Sequence, residues 1–392
     1  MLTTGVVAEF NPFHNGHKYL IQYLKERGDR VVCVIGDDFT QRGDVAVISK
    51  YKRAEAALRC GADLCVLLPV QWSMSCANNF AFGAMSLLKN LGFIDCVAFG
   101  SECGDINKLF SVCDALENEN FPSLLAAELK KGITFAAARQ NALKAIIGNN
   151  AEIVSSANDT LGIEYISACR SLGFSPTFTA IKRVGGMHDS EKPNGTFLSA
   201  SSIRDRLKDG IESIVDFVPD DVFSILKKEK TDGHLHFASY LEGAMLSHLR
   251  RMTAEEIANL PEISEGLENR VFQASKKASS VEECLELIKT KRYTLSRIRR
   301  ILFYAFLNID KTFFLKEVPY IKVLGFNDTG RELISSAKTS LPLLVRGSDY
   351  LKLEDEAKRC FETQNCAADI YALSCENRLP CGGELTAGII KV

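Results

Sequence analysis

Thr3-Thr4-Gly5-Val6-Val7-Ala8-Glu9-Phe10-Asn11-Pro12-Phe13-His14-Asn15-Gly16-His17 begins as a short apolar run, breaks at Asn11-Pro12 and ends in His-x-Gly-His. Thr3 to Ala8 has the length and β-branched content of a buried strand. From about Gly16 to Arg27 the apolar spacing is helical, with Gly28 as its stop. The segment therefore reads as strand, tight turn, helix, with two histidines at the helix start. Such a start offers unpaired N–H groups and a partial positive charge, which suits phosphate. Gly16 would let a nucleotide lie against the backbone. His14 and His17 could donate to phosphate oxygens. A metal pair is the weaker alternative, because no carboxylate motif accompanies the two histidines.

Outward from this stretch, strands and helices alternate. Strands are expected at Arg30 to Ile35, Asp63 to Leu68, Asp95 to Phe99 and Thr177 to Ile181. Helices are expected at Lys50 to Arg59, Trp72 to Asn90, from near Gly104, and at Leu161 to Leu172. That alternation predicts an α/β fold, a Rossmann-like parallel sheet with helices on both faces and ligands beyond the carboxyl ends of the strands. From about Ser202 the pattern is mostly helical, as in Ile298, Ile301, Leu302 and Ala305, with short strands at Ser340 to Val345 and Leu385 to Val392. The expected division is residues 1–205 as the ligand-binding domain and 206–392 as a mainly helical one.

The bulk composition bounds the function. The 392 residues are 46% hydrophobic and 24% charged, ordinary for a globular protein and enough for two cores. A formal net charge of −2 excludes attachment to nucleic acid by bulk charge alone, leaving room only for a local basic patch. The 13 cysteines form no C-x-x-C pair and many sit in apolar runs, as expected of reduced thiols in the cytoplasm. No apolar run reaches the length of a membrane span.

One local patch stands out. Lys289, Lys291, Arg292, Arg297, Arg299 and Arg300 fall close together with no acid among them, and Tyr293 lies inside the run. Cations with an aromatic can hold phosphates and stack on an unpaired base, and the alternative is a solvated helix face over Ile298 and Leu302. His234 and His236 read as surface residues in a polar loop.

The histidine segment resembles the HIGH signature of the nucleotidyltransferase superfamily, and Gly5 to Leu20 is similar to the bacterial tRNA(Met) cytidine acetate ligase family. The resemblance continues through Gln41-Arg42-Gly43, Lys50 to Ala57, Gly61-Ala62-Asp63, Phe99 to Glu102, Asn158 to Tyr165, Lys182-Arg183 with His188-Asp189, Ser199 to Arg204, Lys291 to Leu302 and Val323 to Phe326. It implies an HIGH-type nucleotidyltransferase domain that activates acetate with ATP and acetylates N4 of the wobble cytidine of elongator methionine tRNA. A small-metabolite nucleotidyltransferase of the same superfamily is the other reading. The resemblance further implies that His14 and His17 bind the phosphates. Val7, Glu9, Phe13, Gly16, Gly100, Asn158 and Arg183 would form the ATP site, with Ser201 or Ser202 capping a helix beside a phosphate. Magnesium is expected to arrive with the triphosphate. Gly36-Asp37-Asp38-Phe39 departs from the family's usual Ser-Gly-Asn-Phe. An added acid beside acetate and triphosphate requires a partner, for which Arg42 is the expected one.

Overall fold

The computed structural model describes residues 1–183, 195–313 and 317–392. His188 and Asp189 lie outside the described residues.

The elements alternate as the sequence predicts. They run β1 (Thr3–Ala8), α1 (Asn15–Glu26), β2 (Arg30–Gly36), α2 (Lys50–Arg59), β3 (Leu64–Leu68), α3 (Val70–Ser73), α4 (Ala77–Leu91) and β4 (Cys96–Ser101). Then come α5 (Ile106–Leu116), α6 (Phe121–Leu129), α7 (Phe135–Ile147), α8 (Ala157–Leu172), β5 (Thr177–Lys182) and α9 (Ala200–Asp209). The single helix expected from Trp72 to Asn90 is two. Met74 leaves the helical region between α3 and α4, and its carbonyl accepts from the buried Tyr304 hydroxyl at 2.5 Å.

β5, β4, β1, β2 and β3 lie side by side in that order, all parallel, with β1 in the middle: Val6 pairs Cys33 on one side and Ala98 on the other. Side chains alternate between faces. Val32, Val34, Leu64, Val66 and Leu68 pack with Trp72, Leu87 and Leu88, whereas Val31, Cys33, Ile35 and Leu67 pack with Ile21, Leu24 and Ala57.

The later residues add α10 (Asp220–Thr231), α11 (Glu242–Arg251), α12 (Ala254–Ala258), α13 (Leu267–Lys277), α14 (Val281–Ile288) and α15 (Leu295–Phe306). β6 (Ile321–Phe326), α16 (Asp328–Ser335), β7 (Leu343–Leu344), α17 (Asp355–Tyr371), α18 (Gly383–Thr386) and β8 (Ile390–Lys391) follow. β6 was not expected. It joins the sheet antiparallel to β3, and β7 and β8 pair with it, so a boundary at residue 205 puts three strands of one sheet on its far side. A third core unites the helices with the loop after β2: Ile298, Ile301, Leu302 and Ala305 pack with Phe39, Val45, Val70 and Met74.

Candidate active site

The turn after β1 is built from the inside. Phe10 takes a left-handed φ of 49°, which sends its ring into the core beside that of Phe13, 4.9 Å away. His17 rests on both rings, with centroids 4.9 Å from Phe10 and 5.5 Å from Phe13. His14 is the N-cap of α1. Its Nδ1 accepts from the Gly16 amide at 3.0 Å, and His17 Nδ1 accepts from the His14 amide at 3.2 Å, a reciprocal box made by two imidazoles. A ring nitrogen that accepts carries no proton, so in each neutral ring the proton sits on Nε2. The rings stack 3.7 Å apart.

Burial, helped by the Arg183 cation, holds His14 down at about 3. Burial, then His14 and Arg183, holds His17 well below the usual histidine range. The pair therefore presents two neutral Nε2–H donors rather than two cations. Gly16 has a second reason to be glycine: a Cβ there would meet His14 Cε1 at 2.9 Å and break the box.

The opposite wall rises from β4, α8, β5 and α9. The Glu102 carboxylate accepts from Asn158 Nδ2 at 2.5 Å and from the Asp159 amide at 3.1 Å, and it lies 4.0 Å from Arg183 Nε. The buried Asp159 carboxylate in turn accepts from the Ser101 hydroxyl at 2.5 Å and from the Glu102 and Cys103 amides, each at 3.1 Å. This exchange fixes Asn158 and Arg183 toward the cavity. Asn158 is not a cap; Ser156 occupies that position of α8. On α9 the cap is Ser199 rather than Ser201 or Ser202, and its hydroxyl accepts from the Ser202 amide at 3.2 Å. Arg204 reaches across to the Asn11 carbonyl at 2.6 Å, joining α9 to the histidine turn.

Between these walls lies a cavity of about 660 Å³, within the range of small-ligand sites. Val7, Glu9, His14, Gly16, His17, Gly100, Asn158, Arg183 and Ser201 line it. Phe13 lies beneath the floor, fully buried, and the Ser202 hydroxyl turns back to Ser199 at 2.9 Å. The cavity also takes Gln41 and Arg42 from the loop after β2, Arg204 from α9, and Thr294 and Ser296 from the start of α15. Gln41-Arg42-Gly43 carried a resemblance, and Arg42 an expected part as partner to the acids after β2, but none of the three was given a place in the cavity. Thr294 and Ser296 were signalled by their place inside the basic run and inside the resembling stretch Lys291 to Leu302, with no role given to either.

That run is not one helix. Lys289 follows α14, Lys291, Arg292 and Tyr293 lie in the connecting turn, and Arg297, Arg299 and Arg300 are on α15. Lys289, Lys291 and Arg292 are exposed, and Arg299 and Tyr293 half-buried. Arg297 stands over the Tyr293 ring, 5.0 Å from its centroid, and donates to the Glu262 carbonyl. Arg300 is buried and forms a two-bond pair with the Glu262 carboxylate at 2.8 and 2.6 Å. Arg292 makes an exposed ion pair with Glu265 at 3.6 Å, so among the described residues three of the six cations have protein partners, two of them held by Glu262.

Asp37 and Asp38 do not pair with Arg42 and do not line the cavity. They lie in a buried cluster of three acids and three bases. Lys50 Nζ is 3.4 Å from Asp37, 3.0 Å from Asp38 and 2.8 Å from Glu384. Arg53 is 3.2 Å from Asp38, and Lys322 pairs with Glu384. Burial pushes Asp37 up to about 7 against the pull of Lys50, whereas Lys50 and Lys322 together hold Glu384 down at about 2 despite its burial. Arg53 also donates to the carbonyls of Glu9, Gly36, Asp37 and Ile48, so the cluster underpins the ends of β1 and β2. His236 is buried rather than exposed. It stacks on Tyr371 at 3.8 Å, and its Nδ1 lies 2.9 Å from the Ser374 hydroxyl. Among the described residues no helix is long and apolar enough to cross a membrane.

Comparison with known proteins agrees with this geometry. The profile of the HIGH Nucleotidyl Transferase family matches residues 1–381. A tRNA(Met) cytidine acetate ligase of Thermoanaerobacter sp. is 40% identical over 99% of each chain, and one of Acetivibrio thermocellus is 37% identical over 100% of each. The crystal structure of Thermotoga maritima TmcAL without ligand superimposes with a TM-score of 0.94 at 34% identity, covering 100% of both chains. The form bound with alpha-thio ATP gives 0.91 at the same identity and coverage. Near-complete coverage at this identity leaves no part of the fold outside the match: the chain belongs to the HIGH nucleotidyl transferases and, among them, to the tRNA(Met) cytidine acetate ligase family.

Proposed function

We propose that the protein activates acetate with ATP and transfers the acetyl group to N4 of the wobble cytidine of elongator methionine tRNA, in the cytoplasm. In the first step an acetate oxygen attacks the α-phosphorus, a C–O–P linkage forms, and the bond to pyrophosphate breaks. In the second, the cytidine amine attacks the acetyl carbon. The C–N bond forms, AMP leaves with the electron pair of the broken C–O bond, and the amine proton passes to solvent.

The observation that carries the reading is the pair of neutral, stacked histidines at the start of α1, each with Nε2–H as its remaining donor, in a cavity whose rim includes the start of α15. Neutral donors need no proton exchange as negative charge shifts from the α-phosphate toward pyrophosphate, and their box fixes them before the substrate arrives. Arg183 and Arg204 add positive charge to the phosphate side, and Asn158, held by Glu102, offers polar contacts to the nucleoside. Glu9 is the acid among the described lining residues, a donor set that fits magnesium carried on phosphate and water rather than in a protein cage. When bound, the ion would neutralise phosphate charge beside Glu9. Lys289, Lys291, Arg292 and Arg299 would meet the RNA, with Tyr293 beside them. Arg297 and Arg300 serve the protein's own packing.

The test is ATP–pyrophosphate exchange with and without acetate, followed by acetylation of unmodified methionine tRNA. Exchange should require acetate. It should fall by about 10²–10³-fold in His14→Asn, which keeps a capping group but has no donor at the Nε2 position. His14→Ala should lose the cap as well. Exchange that proceeds without acetate, or transfer to a small metabolite in place of RNA, would favour the other superfamily reading.

A further inference from the structure

Two rims of the cavity, one from the loop after β2 and one from the start of α15, come from distant parts of the chain; Arg300 joins them, and one acid, Glu262, holds Arg300 in place. Glu262 lies in the turn between α12 and α13 with a left-handed φ of 60°, a conformation that a glutamate adopts only at a cost in backbone strain. Both of its acceptor groups are engaged. Its carbonyl takes two donors from Arg297, and its carboxylate takes two from Arg300. The remaining arm of Arg300 donates to the Gln41 carbonyl at 2.8 Å, and the Gln41 amide donates to Glu9 in the cavity at 2.7 Å. The contact is close: a Cβ on Gly43, at φ 70°, would stand 2.6 Å from the Arg300 amide. Gln41 and Arg42 therefore form one lip of the cavity, Thr294 and Ser296 the other, and Glu262, by orienting Arg300, sets the distance between them without touching the cavity itself.

We propose that Glu262 is a positioning residue for the transfer step: it fixes the opening through which the acceptor base of the RNA reaches the acyl-adenylate. This rests on the RNA-acylation reading above. The phosphate-binding histidines, Asn158 and Arg183 lie on parts of the site that Glu262 does not contact, and Glu9 is reached only through the Gln41 backbone, whose amide bonds Glu9 on a different peptide unit from the carbonyl that Arg300 holds, so formation of the acyl-adenylate is expected to change little.

The experiment uses the full-length enzyme with Glu262→Gln and with the double variant Glu262→Gln/Arg300→Gln, which removes the unpaired guanidinium. Acetate-dependent exchange without RNA, transfer to unmodified methionine tRNA, and thermal melting are measured side by side. The expected result is a KM for tRNA at least ten-fold higher in both variants, with exchange within two-fold of wild type and the melting temperature restored in the double variant. Recovery of transfer together with melting temperature in the double variant would overturn the proposal, because stability alone would then explain the effect. A parallel fall of exchange and transfer, or no change in either, would overturn it too. A wild-type enzyme that performs exchange but no transfer to any tRNA would instead remove the RNA reading, and this proposal with it.

Discussion

The loops that follow β1 and β2 leave the sheet side by side at its carboxyl edge, where an α/β fold places its ligands. They meet opposite ends. After β1, the histidine turn faces a cavity of about 660 Å³, and its imidazoles keep one donor each for something from outside. After β2, Asp37 and Asp38 turn inward, where Lys50 and Arg53 pair with them and where Glu384, a third acid, shares Lys50 and takes Lys322. The carboxyl edge supplies the location in both cases. The difference lies in whether the polar groups are completed by the chain itself. Where they are, the charges are structural and hold the floor; where they are not, the groups form a site.

The largest effect should come from opening the closed cluster. Glu384→Ala leaves Lys50 and Lys322 buried without their shared partner and should lower stability by about 3–5 kcal/mol in urea unfolding. A loss below about 1 kcal/mol would mean that water enters the cluster and that the contrast between the two loops fails. A smaller effect should follow from pH on the open side. An unfolded histidine takes up a proton below about 6.5, while folded His14 remains neutral down to about 3. Stability should therefore be fully present above pH 6.5 and fall on acidification, by roughly 1.4 kcal/mol per pH unit from His14 alone. His14→Asn should flatten the decline of the ligand-free protein between pH 6.5 and 5 by that slope, and an unchanged slope would put the proton elsewhere. The smallest effect concerns cations that face solvent. Lys291→Ala should reduce the salt dependence of tRNA binding by about 0.7 in the log–log slope, one phosphate contact on single-stranded RNA. An unchanged slope would remove Lys291 from the RNA surface.

Much of this was legible because the relevant signals are local. A β-branched run followed by Pro, Gly and two histidines specifies strand, turn and capped helix within fifteen residues, and β1 to β5 lie where the alternation puts them. The departures need tertiary information. β6 is a short apolar stretch in helical surroundings, and nothing local says that it returns antiparallel to β3. The partner of Asp37 and Asp38 was sought in Arg42, near in sequence. Lys50 and Arg53 reach them instead, one helical turn apart on α2. Arg300 looked like one cation among six. Its spacing from Arg297 and Tyr304 places all three on one face of α15, the face that meets Glu262, and that pattern was present in the sequence. The capping by Ser199 rather than Ser201 or Ser202 is a shift of two to three residues that spacing alone does not resolve.

The antiparallel return of β6 and the burial of Glu384 also bear on how the protein is made. During synthesis the chain emerges from its N-terminus, and the parallel strands with their helices can begin to assemble early. Lys50 then waits, already flanked by Asp37 and Asp38, for an acid carried by α18, which is made only after every strand from β1 to β7. Arg53, which ties β1 to β2 beneath the histidine turn, belongs to the same cluster. A ribosome-bound intermediate that still lacks α18 would hold the whole histidine segment, yet the base on which that segment sits would be one carboxylate short until α18 is made.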